Sequence, residues 1–426
     1  MDKVPSVLLV TKTTGYQTRS FGDAAAKLGL RLIFATDRCD HLEDPWRDHA
    51  IPVRFHDESY SVRTIFNELK QTPPAGVLAV GDRPMHLAAS VAQVFGLKGN
   101  TLEAVGISRN KLATRQALKV AELPVPWFRA VSVDSDIVTL AQEISYPCVL
   151  KPLALSGSRG VIRADTTSDF VEAFVRVRDV LQEPDVQVER DSVHDLILVE
   201  GFIQGREYAI EALLDDGRMR TLAIFEKPNS LDGPFFEETI YVTPPALGPN
   251  EEGQLREAVV EAAQAIGLWH GPVHAECRVN ANGVFILEVA ARPIGGLCAR
   301  ALRFVSEGNK TSELYTLEEL LLHHAIGHDV GRIVREPDAS GVMMLPIQKR
   351  GVLRKITGMA EALDLPYVDD LQITAKLDQQ LIPLPEGNSY LGFVFSRAKT
   401  PSMVVKALRS AQEKLNFTIE RDVPMC

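Results

Sequence analysis

Two glutamates interrupt a pair of apolar, alternating runs in the second half of the chain, and this pattern limits the local fold. Glu276 lies in the first run and Glu288 in the second. Residues 280–283, between the runs, are typical of a tight turn, so the pattern predicts a β-hairpin. Because side chains alternate along a strand, His274, Glu276 and Arg278 are expected to share one face.

The two glutamates are candidate metal ligands. Carboxylates on neighbouring strands repel and are costly to bury unless a cation lies between them. Mg²⁺ suits such a place, because it takes one or two carboxylates and completes its octahedron with phosphate oxygens. The alternative is that Glu276 and Glu288 lie on a solvated sheet face, paired with Arg278 and Arg292.

Length and composition favour a soluble, cytoplasmic protein of two or three domains. The chain has 426 residues, with 46 Lys and Arg against 56 Asp and Glu, a net charge of −10 that argues against nucleic acid as a partner. No apolar run is long enough to cross a membrane, and the N-terminus lacks the pattern of a secretory signal. The scattered cysteines, without a CxxC pair, indicate reduced thiols: Cys39, Cys148, Cys277, Cys298 and Cys426.

The first hundred residues alternate between strand and helix patterns. Strands are predicted near 7–10, 31–35 and 76–80, and helices near 16–28, 61–69 and 85–95. This order predicts a doubly wound α/β unit with a parallel sheet. The turn at residues 13–16 lacks a GxGxxG motif, whereas residues 81–83 form a candidate edge for a small ligand.

A glycine-rich loop follows an apolar strand that carries Lys151 near its end. A helix is predicted before it, over residues 108–118, and it includes Lys111. The loop is Ser156, Gly157, Ser158, Arg159, Gly160 and Val161. Small residues let backbone N–H groups approach phosphate oxygens, and a lysine adds a point charge. An ordinary surface turn is the alternative.

A second strand, bend and strand pattern spans residues 196–211. An apolar bend can hold an adenine ring, and Glu207 is placed to accept hydrogen bonds from a ribose. The alternative is a plain hairpin with an exposed acid. Residues 183–195, which precede this pattern, are dense in charge and are predicted to form a mobile surface segment.

The order of these motifs resembles that of the ATP-grasp superfamily of carboxylate–amine ligases, over roughly residues 1–330. The resemblance implies that Lys111 and Lys151 contact nucleotide phosphates and that loop 156–161 closes over them. It also implies that Glu207 holds the ribose. The residues expected to line the adenine are Glu200, Gly201, Phe202 and Ile203.

The same resemblance implies a magnesium site at Glu276 and Glu288, and catalytic roles for Lys151 and Arg292. Arg292 would stabilise the reacting acyl centre. One position departs from the family pattern: Ala290 stands where many members have asparagine or another polar residue, which removes a side-chain third ligand. Residues expected near the substrate are His274, Arg292, Gly295 and Gly296.

The C-terminal part, from about residue 341, resembles the C-terminal lobe of ATP-grasp L-amino-acid ligases, which join two amino acids. The expected architecture is therefore an ATP-grasp fold of α/β and α+β type. The N-terminal α/β domain is expected at 1–105, the ATP-grasp domain at 106–335 with its nucleotide lobe at about 125–200, and the C-terminal lobe at 336–426.

The resemblance implies an ADP-forming ligase that makes an amide or peptide bond through an acyl phosphate, with an amino acid as a substrate. ATP and Mg²⁺ are the expected cofactors, with Mn²⁺ as an accepted substitute. The expected partners are a small carboxylate and a small amine, without nucleic acid or membrane, and a homodimer is considered. The alternatives are a bicarbonate- or formate-activating enzyme, similar to biotin carboxylases or purine transformylases, and an ATP-binding protein without turnover.

Overall fold

The computed structural model describes residues 4–13, 15–38, 50–308 and 314–421. Thr14, Cys39 and Cys426, which entered the predictions above, lie outside these ranges. The three cysteines inside them are free and buried, in keeping with the prediction of reduced thiols: Cys148, Cys277 and Cys298.

The N-terminal region forms the predicted α/β unit. Its elements in chain order are β1 (Ser6–Thr11), α1 (Thr18–Leu28), β2 (Arg31–Thr36), β3 (Ile51–Pro52), α2 (Glu58–Leu69), β4 (Gly76–Val80) and α3 (Pro84–Val94). The sheet has the order β3-β2-β1-β4 with every pair parallel. Leu8 and Val10 of β1 pack against Ile65 of α2 and Met85 of α3. The carboxyl end of β4 therefore leads directly to Asp82.

The prediction of one helix over residues 108–118 is wrong, because two helices meet there. They are α4 (Leu102–Arg109) and α5 (Lys111–Val120). Asn110 between them is extended, and its side chain accepts hydrogen bonds from the N–H groups of Leu112 and Ala113. This N-cap starts a new helix and makes Lys111 its first residue.

A small antiparallel sheet follows, with helices on one face. Its elements are β5 (Phe128–Ser132), α6 (Ile137–Glu143), β6 (Cys148–Pro152), β7 (Ile162–Ala164), α7 (Thr167–Leu181), α8 (Pro184–Gln187), a 3-10 turn (Ser192–Asp195) and β8 (Leu196–Gly201). The strand order is β5-β8-β6-β7. Leu150 packs against Phe170 and Phe174 of α7. Because strand side chains alternate, Val149 and Lys151 point to the opposite face.

An eight-stranded antiparallel sheet forms the centre of the molecule. The elements that follow β8 are β9 (Arg206–Asp215), β10 (Arg218–Lys227), β11 (Ile240–Thr243), α9 (Pro249–Ile266), β12 (Gly271–Asn280), β13 (Gly283–Ala290), a 3-10 turn (Cys298–Ala301), β14 (Phe304–Ser306), α10 (Leu317–Ala325) and β15 (Ile333–Arg335). β8 and β9 lie in different sheets, so the plain-hairpin alternative for residues 196–211 is wrong.

The C-terminal region adds strands to the same central sheet. Its elements are β16 (Ala339–Leu345), β17 (Gly351–Thr357), α11 (Met359–Leu363), β18 (Val368–Ile373), β19 (Gln380–Leu381), β20 (Gly392–Ala398), α12 (Pro401–Lys414) and β21 (Asn416–Glu420). The central order is β13-β12-β9-β10-β11-β16-β20-β18, and β19-β17-β21 form a separate three-stranded sheet. Within the described ranges, every helix is too short or too polar to cross a membrane.

The hairpin predicted from the two glutamates is β12 and β13, and its register is the one that the pattern requires. Glu276 lies directly opposite Glu288, and His274 lies opposite Ala290. A bulge follows Glu276, where the register shifts by one residue. The fold thus carries both carboxylates on adjacent strands at one edge of the central sheet.

Candidate functional site

A cavity of about 470 Å³ lies where the three largest sheets meet, and nearly every predicted site residue lines it. It is bordered by Asp82 from the N-terminal unit and by Tyr390 from the C-terminal region. The predicted residues that it brings together are Lys111, Lys151, Ser156, Gly157, Ser158, Arg159, Val161, Glu200, Gly201, Phe202, Ile203, Glu207, His274, Glu276, Glu288, Arg292, Gly295 and Gly296. Of the predicted site residues, Gly160 does not line the cavity.

The hairpin presents its polar face to the cavity. His274, Glu276 and Arg278 all line it, whereas Ala275 and Cys277 are buried in the hydrophobic core behind. The alternation of side chains along β12 is what separates the two sets.

The alternative of a solvated sheet face paired Glu276 with Arg278 and Glu288 with Arg292. Arg278 instead pairs with Glu207, whereas Glu288 does lie 3.7 Å from Nη2 of Arg292.

Lys227, which the sequence reading missed, lies among three of the carboxylates. The residue is 6% exposed, and its Nζ donates to Glu207 at 2.7 Å, Glu238 at 2.7 Å and Glu276 at 2.8 Å. Although burial opposes charge, these carboxylates raise the pKa of Lys227 well above its usual value. The sequence contains a signal that could have identified Lys227, because it lies at the end of an apolar strand and Lys151 lies near the end of another.

The carboxylates around Lys227 carry more negative charge than one ammonium group neutralises. One oxygen from each of Glu207, Glu238 and Glu276 lies within 4.8 Å of the others. Burial and the neighbouring Glu276 raise the pKa of Glu238 to about 7, although Lys227 opposes this. A divalent cation would relieve this repulsion, so the donor set fits Mg²⁺.

Glu288 faces the cationic side of the cavity. Its carboxylate lies 3.8 Å from Nζ of Lys111 and 3.7 Å from Nη2 of Arg292. Glu276 and Glu288 are thus opposite one another in the hairpin, while each is paired with cations from other elements. A role of the two as joint metal ligands stays a prediction.

Lys151 is held by a buried ion cluster that includes Arg115, which the sequence reading also missed. Glu200 accepts from Nε of Arg115 at 2.7 Å, from its Nη2 at 3.1 Å, and from Nζ of Lys151. Burial and Arg115 lower the pKa of Lys151 to about 8. Although burial opposes it, the two cations lower the pKa of Glu200 to about 2. The Glu200 carboxylate therefore positions Lys151, which the adenine prediction did not anticipate.

An apolar slot lies beside this cluster. Val149, Phe202, Ile203 and Leu287 line it. The ring of Phe202 is stacked on Phe236, with centroids 6.3 Å apart. Flat apolar walls of this kind suit a planar base, and the adenine position stays a prediction.

Glu207, predicted to hold the ribose, is engaged on both carboxylate oxygens. Besides Lys227, it accepts a hydrogen bond from Nε of Arg278 at 2.8 Å. Arg278 also donates through Nη1 to the carbonyl of Ile203 at 2.7 Å. The slot and the carboxylate cluster are therefore linked by one buried guanidinium.

Arg292 connects the hairpin to the N-terminal unit. Its Nε lies 2.5 Å from Oδ1 of Asp82, and its Nη1 donates to the carbonyl of Pro293 at 3.0 Å. Although burial opposes it, Asp82 and Glu288 raise the pKa of Arg292. The predicted candidate edge at residues 81–83 thus reaches the same cavity as the hairpin.

His274 carries a positive charge in the cavity wall. Its Nδ1 contacts Oε1 of Glu211, and its Nε2 lies 3.6 Å from Glu276. Although burial opposes it, Glu211 and Glu276 raise the pKa of His274 to about 10. The other oxygen of Glu211 accepts from the N–H of Ile294 at 3.0 Å, which fixes the glycine-containing segment beside Arg292.

Loop 156–161 is fastened from both sides. Arg159 forms a two-pronged ion pair with Asp185, at 2.6 and 3.1 Å, and donates to the carbonyl of Glu386 at 2.9 Å. Gly160 turns its N–H to the carbonyl of Pro385 at 2.8 Å. Its φ is +72°, and a Cβ there would lie 2.8 Å from Pro152. Gly160 therefore shapes the loop and lies outside the cavity lining.

The charged segment 183–195 was predicted as a mobile surface segment, and this is wrong for Glu189. Its carboxylate lines the cavity and lies 3.6 Å from Arg83 and 3.5 Å from Arg109. His194, five residues further along, is buried. The ion pairs of Glu189 with Arg83 and Arg109 hold this part of the segment against the cavity.

Comparison with known proteins identifies the fold and two of the domains in the chain. Residues 144–301 match the family described as ATP-grasp domain, and residues 343–420 match the L-amino acid ligase C-terminal domain 2. The structure of the L-amino acid ligase from Bacillus licheniformis superposes on this chain with a TM-score of 0.82 and 24% sequence identity. The superposition covers 99% of this chain and 100% of the Bacillus chain. That likeness shows a shared fold.

Two relatives illustrate the range of similarity. An uncharacterized protein from Sinorhizobium fredii is 25% identical over 423 residues, covering 98% of this chain and 84% of its own. Alanine–anticapsin ligase from Bacillus subtilis is 28% identical over 221 residues, which are 49% of this chain and 46% of that protein. The match to this named ligase thus spans about half the length of either chain.

The chain is an ATP-grasp enzyme, as the motif order predicted. Within that class, its C-terminal region matches the C-terminal domain of the L-amino acid ligases. Proteins of this superfamily use ATP and Mg²⁺ and act on small carboxylates and amines.

Replacing Arg159 by alanine should loosen loop 156–161. The change removes the ion pair to Asp185 and the hydrogen bond to Glu386, so we expect faster amide hydrogen exchange in the loop and a several-fold higher KM for ATP. The matched control is Arg178→Ala on α7. This change also removes an arginine near an aspartate, since the Arg178 Nε lies 3.9 Å from Asp179, but it does so outside the loop. Equal exchange in both variants would mean that Arg159 does not hold the loop.

The charge on His274 should make stability depend on pH. Because its pKa rises from 6.5 to about 10, the protonated ring stabilises the fold fully below pH 6.5, and this contribution is lost as pH rises through 10. We expect the Tm difference between wild type and His274→Gln to shrink over that window. The control is His56→Gln at an exposed position. A Tm difference for His274→Gln that does not change with pH would contradict the charged state.

Proposed function

We propose that the protein is an ADP-forming ligase that couples the carboxylate of an amino acid to the amine of a second small molecule through an acyl phosphate. The observation that carries this proposal is the composition of one cavity. Lys111, Lys151 and Arg292 line it together with Glu276 and Glu288 of the β12–β13 hairpin, and Lys227 contacts Glu276 from behind the lining. Phosphoryl transfer depends on such positioned charges more than on covalent chemistry.

ATP fits the cavity along the line from the apolar slot to the cations. The base occupies the slot beside Phe202 and Ile203, and the phosphates extend towards Lys111 and Lys151. Loop 156–161, fastened by Arg159, covers the phosphates and limits the access of water to a reactive intermediate. These assignments rest on the lining of the cavity and on the motif order.

Magnesium would be held by Glu276 and Glu288, with Glu238 as an additional oxygen donor close to Glu276. When bound, it offsets negative charge on the phosphates during transfer. Lys227 keeps Glu276 ionised, because Lys227 and His274 hold the pKa of Glu276 well below its usual range although burial opposes them. Mn²⁺ is expected to replace Mg²⁺, since both accept carboxylate oxygens.

The reaction proceeds in two steps. An oxygen of the substrate carboxylate attacks the γ-phosphorus of ATP, ADP leaves, and an acyl phosphate forms. The amine nitrogen then attacks the acyl carbon and forms the amide bond, the bond from the acyl carbon to the phosphate oxygen breaks, and the leaving phosphate takes the proton that the nitrogen loses. Arg292 and His274 both line the cavity, and their positive charges would stabilise negative charge on the acyl oxygen.

The C-terminal family match favours an amino-acid ligase over a bicarbonate- or formate-activating enzyme. We retain domain limits at 1–105, 106–335 and 336–426, a cytoplasmic location and a homodimer as parts of this proposal. Phosphate release across a matrix of amino acids and small carboxylates identifies the substrates. Release with bicarbonate or formate alone would instead support the alternative enzyme, and ATP binding without release would support a protein without turnover.

Replacing Glu288 by glutamine should remove activity and leave the fold intact. Loss of a charged ligand to the metal costs several kcal/mol in the transition state, so turnover should fall about a thousandfold or more. The matched control is Glu143→Gln on α6, where the side chain is 54% exposed. Near-normal turnover of Glu288→Gln, with an unchanged Tm, would exclude the two-carboxylate site.

Hydroxylamine should trap the activated substrate. A nucleophile that competes with the amine converts an acyl phosphate to a hydroxamate, and ADP accumulates in equal amount. A reaction without the carboxylate substrate serves as the control and should give no hydroxamate. Formation of AMP and pyrophosphate would show adenylation and would overturn the acyl-phosphate mechanism.

A further inference from the structure

A second cluster of metal-ligating side chains lies apart from the cavity, at the far end of β9 and β12. Asp215 ends β9, His270 directly precedes β12, and His324 lies in the last turn of α10. One ligand atom from each residue lies within 4.8 Å of the other two. The three residues come from distant parts of the sequence, and none of them lines the cavity described above.

The two imidazoles face each other with nitrogens that have no hydrogen-bond partner. Nδ1 of His270 and Nε2 of His324 are both buried and unsatisfied. Their rings are stacked, with centroids 4.4 Å apart and planes at 24°. Leaving a buried polar atom without a partner costs about 1–3 kcal/mol, so two such atoms at one point require an explanation.

The carboxylate of Asp215 closes the cluster. Its Oδ1 lies 3.5 Å from Nδ1 of His270 and 3.7 Å from Nε2 of His324. Ligand atoms bound at about 2.0–2.2 Å to one tetrahedral ion lie roughly 3.3 Å apart. The spacing of the three atoms is therefore close to that of ligands on one ion, and binding requires the two stacked rings to tilt so that their in-plane lone pairs converge.

The cluster sits on a rigid support. The backbone N–H groups of Trp269 and His270 both donate to Oδ1 of Asn100, at 2.6 and 3.0 Å. The carbonyl of Trp269 accepts from the N–H of Gly217 at 2.8 Å, which ties the turn after β9 to the start of β12. His324 is 5% exposed within α10. Sites built on fixed elements hold their ligands in place before the ion arrives.

We propose that His270, His324 and Asp215 form a binding site for a divalent transition-metal ion, with Zn²⁺ as the best match. Two imidazole nitrogens and one carboxylate oxygen are the donors that zinc and cobalt accept, whereas Mg²⁺ prefers oxygen alone. The Asp215 side chain is 67% exposed, so solvent reaches the site and a water completes the coordination. The ion would join α10 to the ends of β9 and β12.

The probe is Co²⁺, added to metal-free full-length protein in excess Mg²⁺ so that oxygen-only sites are occupied. Binding is followed by visible absorption, and Zn²⁺ is then added as a competitor. Asp215→Asn and His270→Gln test the two more accessible ligands, because substitution of the buried His324 risks the fold. The matched control is His328→Gln, since His328 forms a similar pair with His323 of α10, with Nδ1 atoms 3.0 Å apart.

We expect one equivalent of Co²⁺ to bind with the absorption of a four-coordinate site, and Zn²⁺ to displace it. Asp215→Asn and His270→Gln should each weaken binding by about tenfold or more, and His328→Gln should leave it unchanged. Absence of the absorption, or equal affinity in wild type, Asp215→Asn and His270→Gln, would overturn the proposal. The readout does not depend on ATP turnover, so it stands apart from the proposed ligase reaction.

Discussion

The pairing of buried charges determines how the strands around the cavity are arranged. Lys151 pairs with Glu200 on the adjacent strand of the small sheet, and Lys227 on β10 pairs with Glu207 on β9 and with Glu276 on β12, two strands away. Moving an ion into a protein interior costs several kcal/mol, and removing one partner of a buried pair costs about 3–5 kcal/mol. An arrangement that separated these partners would leave charges unpaired, so the pairs favour a single packing of the strands around the cavity.

The same pairs keep the cavity ready for its proposed substrates. A triphosphate needs cations, and a divalent metal ion needs carboxylates. Lys111 and Arg292 lie within 4 Å of Glu288, and Lys227 lies 2.8 Å from Glu276. When nucleotide and metal enter together, each partner of a pair gains an opposite charge from the ligand. Binding therefore exchanges one set of charge pairs for another and leaves little unpaired charge at any stage.

The sequence predicted features that depend on local pattern. Alternation and a tight turn fix the hairpin register, which is why Glu276 and Glu288 were correctly expected to be adjacent. Arg115 could not be found this way, because a single arginine on an amphipathic helix has the pattern of a surface charge. Only the tertiary fold brings it to Glu200. The break at Asn110 was missed for a related reason, since its capping hydrogen bonds compete with the helical pattern around it.

The departure at Ala290 also has a physical context. Ala290 lies directly opposite His274, and cross-strand neighbours on one face have Cβ atoms about 4.5–5.5 Å apart. The protonated ring of His274 fills the space beside this position, held by Glu211 and Glu276. Ala290 is fully buried, so a larger polar side chain there would crowd that ring. In the proposed metal site, Glu238 would supply the oxygen that such a side chain offers, since it lies beside Glu276 in the segment before β11. Alanine at position 290 thus removes one possible metal ligand from the hairpin. The same region carries two other groups: the His274 ring, near the expected position of the acyl oxygen, and the Glu238 carboxylate beside Glu276.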